Sequence, residues 1–379
     1  MRQREIWQEY SDCIFSNVKQ NFAPGTAMPT EPFAIKPILE TLLERRELTR
    51  EQARGVMEAL IAGRVSEASI AAFAVALRLK GESVGELAAF ASVMREKAER
   101  INAPANVLDT CGTGGDAAGT FNISTAAALV VAGAGIPVAK HGGRAASSAT
   151  GSADVLKELG VNVDATPAQV ERCLREAGIG FLFAQTFHPG MKHAAPVRRD
   201  LGVRTVFNLL GPLSNPAGAK KQLLGVSRPD LCETFAQALR MLGSEAAMVV
   251  CGTAPDGCGF LDEISTFGPT TVARLLDGVI KVVSIDAVKL GIAPGNPDDL
   301  RAANAGESAA IVRALLAGSR GSARDIVVLN AAAAIQISGL ARTWVEGLKI
   351  AEQSIDSGNA RSALERLARI SHMNESSGK

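Results

Sequence analysis

Aromatic side chains are scarce in this chain: 13 Phe, 2 Trp and 1 Tyr among 379 residues. No alternation of aromatic and basic residues of the RNA-binding kind appears. Neither sign of charge is in excess. Forty Lys and Arg against 39 Asp and Glu leave a formal net charge of +1, so nothing points to a nucleic-acid or membrane surface. Cysteine is thin too, with six residues (Cys13, Cys111, Cys173, Cys232, Cys251, Cys258), no CxxC pair and only four histidines. That excludes the usual zinc spacings and reads as inert thiols in a reducing cytosol. The opening run "MRQREIWQEYSDCIF" has no long apolar stretch of the kind an export signal carries. The longest apolar run, "STAAALVVAGAGIPVA", is broken by Gly and Pro and is too short to span a bilayer. A cytoplasmic protein is expected.

Apolar residues make up 47% of the chain and charged ones 21%, enough for a large core, and the length favours two domains. Residues 1–34 read as an irregular extension, rich in Pro and Gly ("NFAPGTAMPTEPF"). From Ile35 the pattern turns helical. Leu39, Leu42 and Leu43 are expected on one face, Thr49 and Gln52 form a capping box, Ser66 caps a third helix, and Ser83 with Glu86 boxes a fourth. This small helical unit, 35–103, carries no evident chemistry. After Pro104 the pattern becomes short apolar strand, glycine turn, helix: "NVLDTC", "GTGGD", "STAAALVVAGAG", then "IPVAK" and "HGGRAASS". Thr166, Pro167 and Gln169 open another capped helix, "RPDLCETFAQALRMLG" is a further one, and "AAMVV" a buried strand. Alternation of this kind predicts an α/β fold with a mostly parallel sheet over 104–371, followed by a loose tail, 372–379. Ligands in such folds gather at the carboxyl ends of the strands.

Two loops fall at that place. "GTGGD", Gly112 to Asp116, is neither a Walker loop nor a Rossmann fingerprint. Its glycines let backbone N–H groups turn towards an anion. Asp116 would repel a bare phosphate, but suits a ligand that also brings hydroxyls or a cation; a plain glycine turn is the bland alternative. "NIST", Asn122 to Thr125, opens the next helix, where Ser124 or Thr125 is either an N-cap or a hydroxyl offered to phosphate or a metal-bound oxygen. "KHGGRAASSATGS" brings Lys140, His141 and Arg144 as donors and Ser147, Ser148 and Ser152 as hydroxyls, with Gly142 and Gly143 allowing close approach; otherwise it is a basic surface loop. "LDEIS" sets Asp262 beside Glu263, a pair that holds Mg²⁺ against phosphates or is simply a solvated acidic turn. "FHPGMKHAAPVRRDLGVRTVFNLLGPLSNP" is helical between Pro189 and Arg204 and carries His188, His193, Arg198 and Arg199; an arginine fork there reads a carboxylate. Together these motifs suit a magnesium-complexed, phosphorylated sugar.

The same motifs, GTGGD, NIST, KHG-x-R-x-x-SS, GSAD, FHP-x-M, VRTVFNLLGPL-NP and DE in that order, resemble the anthranilate phosphoribosyltransferases of tryptophan biosynthesis from about Ile35 to the mid-360s. The resemblance implies a small helical domain, to which about 189–205 also contribute, beside a large α/β domain, and a homodimer joined through the helical domain. It implies 5-phosphoribosyl-1-pyrophosphate and anthranilate as substrates, with two Mg²⁺ ions as cofactor. Carried onto this sequence, the donor site comprises Gly112, Gly115, Asp116, Thr120, Asn122, Ile123, Ser124, Thr125, Lys140, His141, Gly142, Gly143, Arg144, Ala145, Ala146, Ser147, Ser148 and Ser152. Ser124 with Glu263 would hold one ion, and Asp262 with Glu263 a second. Anthranilate would meet Arg198 through its carboxylate and Gly112, His141, Gly143 and His188 about its ring. One departure concerns the acceptor: Gly143 stands where the family usually has Asn, which removes a side-chain donor.

The implied chemistry is displacement of pyrophosphate from ribose C1′ by an aromatic amine already neutral at pH 7, with no residue cast as covalent nucleophile. Transfer to another aromatic acceptor and nucleoside phosphorolysis on the same fold are the enzymatic alternatives. "DEISTFGPT" as the donor loop of the unrelated purine-salvage transferases leaves GTGGD, NIST and KHGGR unexplained. A non-catalytic paralogue binding nucleic acid or a regulator conflicts with the neutral charge balance.

Overall fold

The computed structural model describes residues 33–144 and 150–373. The expected extension over 1–34 therefore lies almost wholly outside the described residues, as do Ala145, Ala146, Ser147 and Ser148.

Four helices come first: α1 (Lys36–Leu43), α2 (Arg50–Ile61), α3 (Glu67–Lys80) and α4 (Val84–Lys97). The capping boxes Thr49/Gln52 and Ser83/Glu86 are both formed, and the Ser66 hydroxyl accepts from Ser69 N–H. Such caps satisfy first-turn donors and contribute about 1 kcal/mol each. The face expected on α1 is turned differently. Ile38, Thr41 and Leu42 point inward, while Leu43 is 74% exposed; on an eight-residue helix three neighbouring leucines do not decide the rotation. Inside the bundle, the buried Glu86 carboxylate takes both Leu48 N–H and Lys80 Nζ.

The sheet has the order β3-β2-β1-β4-β5-β7-β8. Strands β1 (Leu108–Gly112), β2 (Val138–Gly142), β3 (Ile179–Phe183), β4 (Lys221–Gly225) and β5 (Ala246–Thr253) run parallel. Strands β7 (Thr270–Leu276) and β8 (Val279–Ile285) are antiparallel, with short β6 (Phe260–Leu261) beside β5. Asp277 and Gly278 join β7 to β8 with φ of 49° and 76°, the left-handed pair that a two-residue hairpin needs.

Side chains alternate along the strands. Leu108, Val138, Met248 and Val250 enter a core with α5 (Ile123–Gly133), α6 (Ser152–Glu158) and the C-terminal helices. Val107, Ala139 and Leu182 enter a second core with Val170, Leu174 and Phe187. Helix α7 (Pro167–Ala177) starts at the Thr166/Gln169 box. Next come α8 (Ala184–Phe187), a 3₁₀ turn at Pro189–His193, α9 (Ala195–Leu201) and α10 (Val206–Leu210). Of these, the 3₁₀ turn seats Gly190 against Ile61 and His193 against Gly63, so this segment packs on the N-terminal helices. Helix α11 (Asp230–Met241) precedes β5, and α12 (Ala305–Leu316), α13 (Ser322–Ser338), α14 (Trp344–Asp356) and α15 (Asn359–Ser371) complete the layer over the first core. The tail is not loose at its start: Met373 packs on that core and its carbonyl accepts from Gln169.

From β1 the chain proceeds outwards to β2 and β3, and from β4 to β5 the other way. The switch point thus falls between β1 and β4, whose last residues, Gly112 and Gly225, are register partners. A crevice opens at such points.

Candidate active site

Above Gly112 and Gly225 lies Asp262. A Cβ on Gly112 would strike the Asp262 carboxylate, and one on Gly225 its carbonyl. Two strand-end glycines thus let the acidic loop lie directly across the switch point. Asp262 Oδ2 accepts from Gly114 N–H at 2.8 Å. The loop is clamped from beneath by Asn330 of α13, which accepts Ile264 N–H and donates to the Ile264 carbonyl, both at 2.9 Å.

The turn after β1 winds through left-handed backbone at Gly114 (φ 63°), Gly115 (82°), Ala117 (57°) and Gly119 (66°). Conformations of this kind turn successive N–H groups towards one concavity. Asn122 caps α5, accepting Thr125 N–H at 3.0 Å. The cap is therefore Asn122, not Ser124 or Thr125, because its amide reaches the third residue of the helix from outside the first turn. Ser124 is left with its hydroxyl accepting Lys140 Nζ at 3.2 Å, and its main chain lies beside the Glu263 carboxylate.

Lys140 is only 2% exposed, and its Nζ also donates to the Thr110 carbonyl at 2.7 Å. Burial lowers its pKa, opposed by Asp109. Asp109, fully buried, accepts His141 N–H at 3.1 Å and Gln222 Nε2 at 3.3 Å, tying the ends of β1, β2 and β4 together. Burial raises the Glu263 pKa well above the carboxylate range, with Asp262 adding to it. Asp262 is pushed up to about 7, first by burial and then by the Asp116 carboxylate. Three carboxylates thus converge with too little positive charge near them.

The cavity over this floor has a volume of about 840 Å³. Gly112, Asp116, Thr120, Asn122, Ile123, Ser124, Lys140, His141, Gly142, Gly143, Arg144, Ser152, His188, Arg198, Asp262 and Glu263 all reach its wall. Among the described residues, two of those expected do not. Thr125 is turned into the core, 1% exposed with its hydroxyl unpartnered. Gly115 is covered by the Arg204 guanidinium, which stands where a Cβ would go. Arg204 lines the cavity although no sequence signal beyond its presence in "VRTVF" marked it. Asn330 was equally unmarked, since a polar residue in an apolar helix gives no hint of its partner.

His141 and His188 lie with ring centroids 5.1 Å apart. Nδ1 of His141 faces the Gly211 carbonyl at 3.0 Å, and the Ser214 main chain lies beside His188. Burial lowers their pKa values to about 3 and about 4, so both rings are neutral at pH 7. Arg198, held on α9, has its pKa lowered by burial. At Gly143 the described atom nearest to an added Cβ would be Ala184 Cβ at 3.8 Å.

A helical bundle beside a crevice that gathers glycine N–H groups, hydroxyls and paired carboxylates defines a glycosyl transferase of two-domain build. Residues 36–98 match the helical bundle domain of the glycosyl transferase family and residues 104–361 its a/b domain. The anthranilate phosphoribosyltransferase of Parvibaculum lavamentivorans is 50% identical over 332 residues, 88% of this chain and 96% of its own. That of Rhodospirillum rubrum is 50% identical over 345 residues, 91% and 98%. The crystal structure of anthranilate phosphoribosyltransferase from Thermus thermophilus superimposes with a TM-score of 0.82 at 42% identity, covering 88% of this chain and 99% of that one. The Saccharomyces cerevisiae enzyme in complex with PRPP and Mg gives 0.80 at 28% identity, covering 89% and 97%. The chain belongs to the anthranilate phosphoribosyltransferase family.

Proposed function

We propose that this chain transfers the phosphoribosyl group of 5-phosphoribosyl-1-pyrophosphate to the amine of anthranilate, giving N-(5-phosphoribosyl)anthranilate and pyrophosphate in tryptophan biosynthesis. The observation that carries the reading is the Asp262 carboxylate seated on Gly112 and bonded to Gly114 N–H at the switch point. That contact holds a carboxylate for a cation directly against the glycine turn whose other amides would meet the phosphate.

Magnesium fits the residues present. Asp262, Glu263 and Asp116 crowd negative charge that burial makes costly, and a divalent ion relieves that cost. Among the described residues no group of three or more His, Cys, Asp or Glu is set to hold a metal alone. Two carboxylates completed by phosphate oxygens and water is the ordinary arrangement for Mg²⁺. In our reading Ser124 with Glu263 hold one ion and Asp262 with Glu263 a second. Bound magnesium supplies neutralisation of the charge that builds on departing pyrophosphate.

The protein's own residues do the rest by position. The 112–116 turn and the N-terminus of α5 orient the donor's phosphates. Lys140 fixes Ser124 from behind rather than reaching out to the leaving group. Arg198 grips the acceptor carboxylate, and the neutral rings of His141 and His188 flank the aromatic face without adding charge beside a growing oxocarbenium. In the same reading Ala145, Ala146, Ser147 and Ser148, which lie outside the described residues, also meet the donor. A homodimer through the helical bundle is supported by Leu43, Val75 and Leu79, exposed apolar residues on α1 and α3. None of the described helices is long and apolar enough to cross a membrane, and the cytoplasm is the proposed location. Anthranilate fluorescence followed with donor and Mg²⁺ tests the reaction: loss that requires both supports it, and unchanged fluorescence with both present rejects it.

A further inference from the structure

Arg204 is a charged cavity residue that the reading above leaves without a task. Its main chain belongs to the connection between α9 and α10, and its carbonyl receives the Arg78 guanidinium of α3. Its side chain reaches over the Gly114–Gly115 turn, with Nη2 donating to the Thr113 carbonyl at 2.8 Å. It covers Gly115, one of the amides that a phosphate would seek. Its electrostatic partners are Asp262 and Asp116, two of the three carboxylates that crowd the site.

We propose that Arg204 is a resident counter-cation, holding the place of the metal-bound donor over the glycine turn and moving onto the pyrophosphate when donor and metal arrive. The proposal rests on the phosphoribosyl-transfer reading. The bond from Arg204 Nη2 to the neutral Thr113 carbonyl has no charge on its acceptor, and exchanging that acceptor for a phosphate oxygen adds the attraction between opposite charges. The exchange also becomes favourable only on binding: a divalent ion on Asp262 cancels the attraction that keeps Arg204 on the turn, while the pyrophosphate offers a new one. Withdrawal of the side chain uncovers Gly115 for the same ligand. Since its backbone is tied to Arg78, the residue also links donor occupancy to the helical bundle, making it a positioning residue that contacts the leaving group.

The two roles have opposite signs in binding, which a purely structural residue would not produce. Mn²⁺ binding by electron paramagnetic resonance, without donor, and donor binding by calorimetry with saturating Mg²⁺ are measured on wild type, Arg204→Gln and Arg204→Lys. In Arg204→Gln the metal alone should bind several-fold tighter, having lost a competing cation. The donor should bind roughly ten- to a hundredfold more weakly, the span expected for a charged hydrogen bond. Arg204→Lys should keep metal binding at the wild-type level and recover part of the donor affinity. Metal and donor both weakened, both unchanged, or metal tightened with donor unaffected would each overturn the proposal. Should Arg204→Gln fail to fold, Arg204→Lys decides: a donor affinity equal to wild type refutes a guanidinium-specific contact. Wild-type protein that binds no donor refutes phosphoribosyl transfer itself and leaves the metal arm as a separate test of the counter-cation.

Discussion

Adding one methyl group at Gly112 should cripple donor binding while leaving the fold standing. Gly112 sits at the end of β1 with ordinary backbone, so alanine brings no conformational penalty of its own. Its Cβ would collide with the Asp262 carboxylate. That carboxylate must swing away from Gly114 N–H, now 2.8 Å distant. A hydrogen bond to a charged group contributes about 1.5–3 kcal/mol, and forcing a methyl into filled space costs about 1–3 kcal/mol more. Part of the sum falls on stability, a Tm loss of roughly 1–2 °C per kcal/mol for a chain of this size. The part lost from metal-site geometry should weaken binding of donor with Mg²⁺ by about ten- to a hundredfold. Gly211→Ala is the control, another glycine of the cavity wall with no described atom within 4 Å of its Cβ position. Calorimetry on both variants decides. Gly112→Ala binding the magnesium-complexed donor as tightly as wild type would refute the seating of Asp262 as the determinant.

Asp262→Asn with Glu263→Gln should cut turnover sharply at limiting Mg²⁺; steady-state rates equal to wild type would remove the metal assignment. Gly143→Asn should restore a side-chain donor beside the acceptor and tighten anthranilate by about two- to tenfold, the worth of a neutral hydrogen bond, with donor affinity unchanged; initial rates against anthranilate concentration read it. His141 and His188 give a pH dependence. Their folded pKa values, about 3 and about 4, lie below the unfolded value near 6.5, so the unfolded chain binds more protons between pH 4 and 6.5. Their contribution is therefore complete above pH 6.5 and is lost as pH falls, on the order of 3 kcal/mol per ring; urea midpoints should fall over that window in wild type and less steeply in His188→Gln.

Local chemistry was the legible part of the sequence. Thr49/Gln52, Ser83/Glu86 and Thr166/Gln169 announced their helices because a capping box closes within four residues and needs no tertiary partner. The βα alternation announced the parallel half of the sheet. The antiparallel β7–β8 hairpin had its own signal in the "DG" of "LLDGVI", which an expectation of continued alternation passes over. Leu43 misled because hydrophobicity alone does not tell a core face from a surface one. Thr125 faces the core because Asn122 took the cap and set the rotation of α5. What no local pattern conveys is the approach of distant segments: Asn330 beneath the acidic loop, Lys140 behind Ser124, and Arg204 lying on a glycine 89 positions earlier along the chain. Each depends on which strands are neighbours at the switch point.

A crystal structure with 5-phosphoribosyl-1-pyrophosphate and Mg²⁺ bears most directly on the donor cradle. The account predicts pyrophosphate against the N–H groups of residues 112–116, with metal at about 2.1 Å from Asp262 or Glu263 oxygen. Donor density elsewhere in the cavity, with that turn bare and both carboxylates unligated, would contradict it.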